Sequence, residues 1–342
     1  MKISSFSADK AGTLLTPLRW VIGWTYFSAL WRRLILADKL DPEAMGYIGE
    51  KFNHFLPNAL FIKPIIEYLL THPDLLWINM VVFTIIEGIV GLAVIFGFAS
   101  RLMGLAVTGL ALGILLGAGW LGSTCLDEWQ IGVLGIVAGF AIFLGGGGHY
   151  SLDRKLAEHF PDLANQRWFR LCFSGDVSQL FPTIKFQWLV LLLSAAGLFI
   201  TLFTNQVFHG GLWGTLHNKS VRPHLTLSGL QYAKGQVQFT VIRDEGIDVY
   251  GSFVIGMEIT DQEGQQVAYY DQQALSGFAT SDIANYYIAK IKPSAHSLVV
   301  PLGAKADIVL RHPELKALPK GTYTLKLLDI SGASWTEKFI VD

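Results

Sequence analysis

The chain has 342 residues, of which 51% are hydrophobic and only 15% are charged. Its mean hydropathy of +0.41 is unusual for a soluble chain of this size and favours membrane insertion. The 26 basic and 27 acidic residues leave a net charge of −1, which excludes the strongly basic character of a nucleic-acid binder. Two cysteines are too few for an iron–sulfur cluster or an all-cysteine zinc site.

The first apolar segment covers residues 14–36 and carries Arg19, Arg32 and Arg33. Its aliphatic and aromatic content still favours a membrane span. The internal charges, and the lack of a small-residue cleavage site after the segment, argue against a removable signal peptide.

Four further spans follow from the distribution of charge. Residues 75–148 contain only four charged residues, and Arg101 and the pair Asp127 and Glu128 divide the stretch into apolar runs of about twenty residues. Each run is long enough to cross a hydrocarbon core of about 30 Å as a helix. We therefore predict spans at 75–98, 102–121 and 129–148, and a fifth span at 186–208.

The remainder of the chain has short β-branched or alternating runs that are separated by turn residues, a pattern typical of strands. The predicted strands are 236–242, 251–260, 265–271, 297–302, 322–329 and 337–341. Hairpin turns are predicted at 261–264 and 330–333. About 130 residues of this kind suit an all-β sandwich of immunoglobulin-like size.

These patterns predict an α-helical membrane bundle over 1–160, a cytoplasmic linker over 161–185, the fifth span, and a β-sandwich over 210–342. Eight basic residues fall on the inner side and five on the outer side when the N-terminus is cytoplasmic. We therefore expect a multi-pass protein of the cell (inner) membrane with a cytoplasmic N-terminus and an extracytoplasmic β-sandwich.

The long segment 37–74 between the first two spans has apolar residues at helical spacing and is interrupted by prolines. One interpretation is a surface loop with amphipathic helices that lie in the membrane interface. The other is a lid over a site that opens outward.

Glu87 lies near the centre of the second span, where a carboxyl group is costly and usually faces a partner or a cavity. Counting about 1.5 Å per residue from the outer ends of the spans suggests Arg19 as its partner. Two readings remain open. One is a buried ion pair that holds the first two spans together, and the other is a proton-handling carboxyl beside a quinone.

Arg32 and Arg33 end the first span at the side where Trp77 and Trp129 begin the second and fourth. Two guanidinium groups at the mouth of a bundle suit a small dianion, because their planar donors match oxyanions. The alternative is interfacial snorkelling beside an aromatic belt.

Cys125 and Cys172 fall on opposite sides of the membrane in this topology. Cys125 is then a free outer thiol, a partner in an intermolecular disulfide, or a nucleophile, although Asp127 and Glu128 beside it disfavour a thiolate. No histidine lies in the core of the later spans, so we predict no haem, and also no metal site.

Two stretches resemble the DoxX/DoxD family of four-helix membrane proteins: residues 19–33 (RWVIGWTYFSALWRR) and 146–153 (GGGHYSLD). The tail resembles DoxA in residues 299–304 (VVPLGA), 318–323 (LPKGTY) and 329–332 (DISG), and at Trp335. In this order the two parts resemble the fused DoxDA form of thiosulfate:quinone oxidoreductase.

The resemblance implies oxidation of two thiosulfates to tetrathionate, with electrons passed to a membrane quinone. No dinucleotide-binding fingerprint, flavin site or cluster is predicted, so electron transfer is direct or passes through a thiol. The residues expected to act are Arg32 and Arg33 with Trp77 and Trp129 for thiosulfate, Cys125 for a transient thiosulfonate, and Glu87 for protons, with Arg19 paired to it.

A competing interpretation is a membrane protein without catalysis, either a transporter of sulfur oxyanions or a scaffold subunit of a respiratory complex. Membrane lipid is an expected partner under both interpretations. For the enzyme, thiosulfate and quinone are expected as well. Small residues in the third span, Gly104, Gly109, Gly113 and Gly117, permit close helix approach within the bundle or across a homo-oligomer such as a dimer.

Overall fold

A computed structural model describes residues 8–44, 46–122, 127–175, 182–247 and 252–342. The chain divides into two compact units. The helical unit comprises Met1–Ile48, Trp77–Gly119 and Leu126–His217. The β unit comprises Gly49–Leu76, Trp120–Cys125 and Asn218–Asp342.

Helices make up most of the first 209 residues. In chain order they are α1 (Ala8–Leu14), α2 (Thr16–Leu30), a π-helix (Trp31–Leu36), α3 (Glu50–Phe55), a 3-10 turn (Leu56–Asn58), α4 (Lys63–Leu70), α5 (Pro73–Phe96), α6 (Ser100–Ala118), α7 (Asp127–Gly145), α8 (Leu152–His159), α9 (Pro161–Ala164), α10 (Arg167–Cys172) and α11 (Thr183–His209).

Four helices in the described part of the chain are long and apolar enough to cross a membrane: α5, α6, α7 and residues Ile184–His209 of α11. Each lies within a few residues of a predicted span. The first predicted span is built differently, because α2 has only 15 residues and runs directly into the π-helix. Helix α2 packs along α5, which is one of these four candidate spans.

Glycines set the distance between the packed helices. A Cβ atom on Gly23 of α2 or Gly91 of α5 would come within 3 Å of the opposing backbone. Gly104 of α6 makes an equally close approach to Gly139 of α7. The close approach expected from Gly104 therefore occurs within the bundle.

The β unit contains ten strands in its described residues. They are β1 (His224–Ala233), β2 (Gln236–Glu245), β3 (Ser252–Thr260), β4 (Gln266–Tyr270), β5 (Ile283–Asn285), β6 (Lys292–Ser294), β7 (Ser297–Val300), β8 (Lys305–Leu310), β9 (Gly321–Asp329) and β10 (Ser334–Val341), with the short helix α12 (Gln272–Ser276) after β4.

The strands form two antiparallel sheets. One has the order β1-β2-β8-β5, and the other has the order β10-β9-β3-β7-β6 with β4 also paired to β3. Alternate side chains of β2, β8 and β9 are buried, as expected for strands with one face on a core. A helical half followed by an all-β region in two antiparallel sheets confirms the predicted fold class.

Both predicted hairpin turns are present. Gly264, in the turn between β3 and β4, has a φ of +80°, and Gly332, between β9 and β10, has a φ of +86°. Glycine adopts this left-handed conformation without the steric cost that a side chain would bring. The backbone N–H of Asp329 closes the second turn on the carbonyl oxygen of Ala333 at 2.9 Å.

About two thirds of the segment between the first two spans, residues 49–74, belongs to the β unit. Asn53 of α3 is completely buried, and its Nδ2 donates to the carbonyl oxygen of Gly303 at 3.2 Å. The Oδ1 atom of Asn53 accepts a hydrogen bond from the backbone N–H of Ala289 at 3.1 Å. The Tyr287 hydroxyl donates to Glu67 Oε1 of α4 at 2.6 Å.

Candidate functional site

Glu87 and Arg33 form a buried ion pair in the helical unit. Glu87 lies well inside α5, and Arg33 reaches it from the π-helix that follows α2. The Nη1 atom of Arg33 donates to Glu87 Oε2 and, at 3.1 Å, to Thr84 Oγ1. The side chain of Glu87 is only 4% exposed and that of Arg33 18%, so the charges compensate each other away from water.

The prediction that Arg19 is the partner of Glu87 was wrong. Arg19 is completely buried at a different position, where its Nη1 donates to the carbonyl oxygen of Gly147 and its Nη2 to that of Tyr150 at 2.8 Å. Arg19 thus binds the backbone around the glycine-rich segment that follows α7.

The error came from the assumed level of the helix ends. Trp77 Nε1 donates to the carbonyl oxygen of Leu40 at 3.0 Å, so Leu40 lies level with Trp77. The prediction had placed Arg33 at that level. Because α2 and α5 run antiparallel and meet at Gly23 and Gly91, Arg33 lies deeper, beside Glu87.

Arg32 has a different environment from its neighbour. It is exposed, and its Nε donates to the carbonyl oxygen of Ser28 at 3.3 Å. The predicted pair of guanidinium groups is therefore divided into an internal group, on Arg33, and an accessible group, on Arg32.

Both predicted tryptophans use their indole N–H groups within the protein. Trp77 bonds to Leu40, as described, while Trp129 Nε1 donates to Thr204 Oγ1 of α11 at 2.9 Å. The Trp129 ring also lies edge-on to His209, with 6.3 Å between ring centroids. These contacts connect neighbouring segments of the helical unit.

Cys125 lies outside the described residues, so its position relative to the arginines remains a prediction. Cys172, at the end of α10, is half-buried with a free thiol. Among the residues that the structure describes, no group of three His, Cys, Asp or Glu side chains is placed to hold a metal ion.

Asp153 organises a second polar cluster, at the beginning of α6. It is completely buried and accepts hydrogen bonds from the backbone N–H groups of Ala99 and Ser100 at 2.7 and 3.0 Å, and from the Ser174 hydroxyl at 2.7 Å. Burial raises the pKa of Asp153 above its ordinary value, although the hydrogen bonds from Ser100 and Ser174 oppose this.

This cluster explains the motif GGGHYSLD chemically. Ser174 Oγ also accepts a hydrogen bond from the backbone N–H of Gly147. The carbonyl oxygen of Gly147 in turn accepts a hydrogen bond from Arg19. Asp153 satisfies N–H groups that the first turn of a helix leaves without internal partners. The motif therefore joins three segments of the helical unit by hydrogen bonds that involve the side chains of Arg19, Asp153 and Ser174.

Two further residues belong to the Glu87 region. Thr84 precedes Glu87 by three positions, which places both on one face of α5, and this spacing was a usable signal. Tyr26 is buried against Val90, and its hydroxyl donates to the carbonyl oxygen of Val107 at 3.4 Å. Only these contacts with α5 and α6 reveal the place of Tyr26.

The two units define a class of protein: a multi-span membrane protein with a buried ion pair in its helices and a β domain fused behind them. Comparison with protein families is more specific. Residues 14–186 match the model for "TQO small subunit DoxD", and residues 208–338 match the model for "TQO small subunit DoxA".

The first match covers half of the chain, and the chain belongs to the DoxD family, with a DoxA domain fused behind it. The family names refer to thiosulfate:quinone oxidoreductase, so the predicted resemblance and the order of its two parts are confirmed. The families imply quinone as the electron acceptor and suggest thiosulfate as a partner.

Proposed function

We propose that this chain is itself catalytic and oxidises two thiosulfates to one tetrathionate at the extracytoplasmic face of the cell membrane, passing two electrons to a membrane quinone. The observation that carries the proposal is the presence of both thiosulfate:quinone oxidoreductase modules on one chain. The buried pair of Glu87 and Arg33 supports it, because ionisable residues inside membrane spans commonly serve function.

In this proposal Arg32 binds thiosulfate. It is the accessible member of the arginine pair, whereas Arg33 is occupied by Glu87 and Thr84. A guanidinium group offers several N–H donors in one plane and suits a sulfur oxyanion. Arg33, Trp77 and Trp129 then position the site through their contacts with the surrounding segments.

Electrons reach the quinone either directly or through Cys125. In the thiol route, Cys125 and one thiosulfate lose two electrons and a proton as an S–S bond forms, giving a thiosulfonate. The quinone takes up these electrons with two protons and becomes quinol. A second thiosulfate then attacks the sulfur atom through which the first thiosulfate is bonded to Cys125. This attack forms tetrathionate and releases the Cys125 thiolate.

Glu87 assists proton uptake by the quinone in this scheme. Its carboxylate is held by Arg33 at a buried point of α5, where a proton carrier would operate away from bulk water.

The excess of basic residues in the predicted inner loops supports a cytoplasmic N-terminus and an extracytoplasmic β domain. A homo-oligomer, such as a dimer, completes the proposal.

The decisive experiment uses the purified chain with thiosulfate and a short-chain quinone. We expect quinol and tetrathionate in equal amounts, because both arise from the same two electrons. Absence of quinol with the intact, folded protein would refute catalysis by this chain alone. Uptake of labelled thiosulfate into liposomes without quinol would indicate a transporter, and activity only after addition of another subunit would indicate a scaffold.

A further inference from the structure

The β unit carries an exposed apolar patch on the segment that precedes α5. Phe61, Ile65 and Tyr68 are 73%, 61% and 55% exposed, and we call these three residues the α4 patch. The opposite face of α4 is buried through Ile66 and Leu70. The helix is therefore already packed on one side, and the patch needs a different apolar environment.

The backbone presents Phe61 at a cost. Its φ is +63°, in the left-handed region that is unfavourable for residues with a side chain. Its ring is mostly exposed, so burial of the ring within the chain does not offset this strain. Strained residues persist where they serve a function, and here the strain holds an aromatic ring outward.

The α4 patch lies close along the chain to a candidate span. Only Thr71 and His72 separate α4 from α5, which is a candidate span. Five residues of chain reach about 17 Å at most, so Tyr68 lies within that distance of Pro73, where α5 begins. Leu75, in the first turn of α5, is also exposed.

We propose that the α4 patch docks on the lipid surface, with its side chains at the boundary between headgroups and acyl chains. Tyrosine and other aromatic residues favour this boundary, and amphipathic helices bind there through their apolar face. Docking also holds the β unit to the membrane, because Asn53 and Glu67 tie the same segment to that unit.

The test places a coumarin-bearing amino acid at position 65, in place of Ile65, in the full-length chain. The protein is reconstituted in liposomes of phosphatidylcholine and phosphatidylglycerol. Quenching is measured with nitroxide-labelled lipids and with aqueous iodide. Two control positions use the same probe: Val82, which is half-exposed within the span α5, and Gln262, which is exposed in the turn between β3 and β4.

We expect a nitroxide near the headgroup to quench the probe at position 65 by about half, with little effect of iodide, as for an interfacial side chain. A probe at position 82 should be quenched more strongly by a nitroxide deep in the acyl chains than by one near the headgroup. A probe at position 262 should be quenched only by iodide. Iodide quenching at position 65 that equals that at Gln262 would overturn the proposal. Protection from both quenchers would also overturn it, because protein would then cover the patch. The probe at Tyr68 repeats the measurement if the first variant does not fold.

Discussion

Arg33 and Glu87 meet at one buried point and thereby join the π-helix after α2 to the middle of α5. Thr84 accepts a second hydrogen bond from the same guanidinium group. Removal of either charged partner leaves the other charge buried without an opposite charge. The resulting loss of stability is larger than the net stabilisation that the intact pair provides.

We expect Glu87→Ala to lower the free energy of unfolding by about 3 kcal/mol, because it leaves Arg33 as an uncompensated buried charge. The double variant Arg33→Met, Glu87→Leu should recover most of this loss. Unfolding in mild detergent, followed by circular dichroism, measures both. A double variant as unstable as the sum of its single changes would show that the two residues are not coupled.

Glu87→Gln tests the proposed role in proton uptake separately. The amide oxygen can still accept the hydrogen bond from Arg33, so a folded variant is expected. If Glu87 carries protons, quinone reduction should slow by about 100-fold or more, as for loss of a general acid or base. A folded variant that reduces quinone at the normal rate would return Glu87 to a structural role.

Arg32→Ala should raise the KM for thiosulfate by about tenfold or more, since a hydrogen bond to a charged group contributes about 1.5–3 kcal/mol. The value of kcat should change less, because the change removes binding. The matched control is Arg167→Ala, an exposed arginine at the beginning of α10, which should leave KM unchanged. Unchanged KM in both variants would remove the binding role.

Cys125→Ser separates the two electron routes. We expect a loss of activity on the order of 100-fold or more if the thiol is the nucleophile. Cys172→Ser is the control and should be silent. Mass spectrometry of the wild-type chain after acid quenching should reveal a thiosulfate adduct on the peptide that contains Cys125. Full activity in the Cys125 variant would leave only direct transfer.

Asp153→Ala should destabilise the helical unit by about 2 kcal/mol, because the first turn of α6 loses its capping carboxylate. A pH dependence should accompany this. The pKa of Asp153 is raised in the folded state, so the folded protein binds a proton that the unfolded chain releases. Its contribution to stability is therefore greatest at low pH and declines as the pH rises from about 4 through the folded pKa. Melting temperatures of wild type and Asp153→Asn across this range measure it, and parallel curves would contradict the assignment.

Tyr287→Phe should loosen α4 from the rest of the β unit, with a cost of about 1 kcal/mol for the lost hydrogen bond to Glu67. Faster proteolysis within residues 49–76 is the expected signature. Tyr286→Phe offers a neighbouring control, since that hydroxyl also donates to a carboxylate, Asp307, but the ring is far more exposed. Equal proteolysis in the two variants would show that the Glu67 contact does not hold the segment.

The spans were predictable because long apolar runs have few alternatives to a membrane helix. The strands were less so. Strand β8 alternates Lys305 and Asp307 with buried Ala306 and Ile308. This alternation is typical of a strand, but the predicted strands do not include it. Strand β1 was hidden because Gly229, with a φ of +62°, interrupts its register with β2 between Ser228 and Gln231.

The pairing of side chains in the site was harder to predict. Composition drew attention to Glu87, Arg19 and Arg33, but their pairing depended on the register of α2 against α5. That register is set where Gly23 and Gly91 allow two backbones to approach. Leu40 lies seven residues after Arg33 and takes the level beside Trp77 that the prediction had given to Arg33. This difference in level is enough to exchange one arginine for another.

The contact between Asn53 and Gly303 spans 250 positions of the chain. At about 5–20 residues per second, a ribosome needs roughly 10–50 seconds to add that length, so α3 emerges well before its binding surface exists. During synthesis the segment 49–76 must wait without its partner. A cut between the two family matches, at residues 187–207, would turn this same contact into an interface between two polypeptides. Fusion of the two modules thus makes the encounter intramolecular and independent of protein concentration.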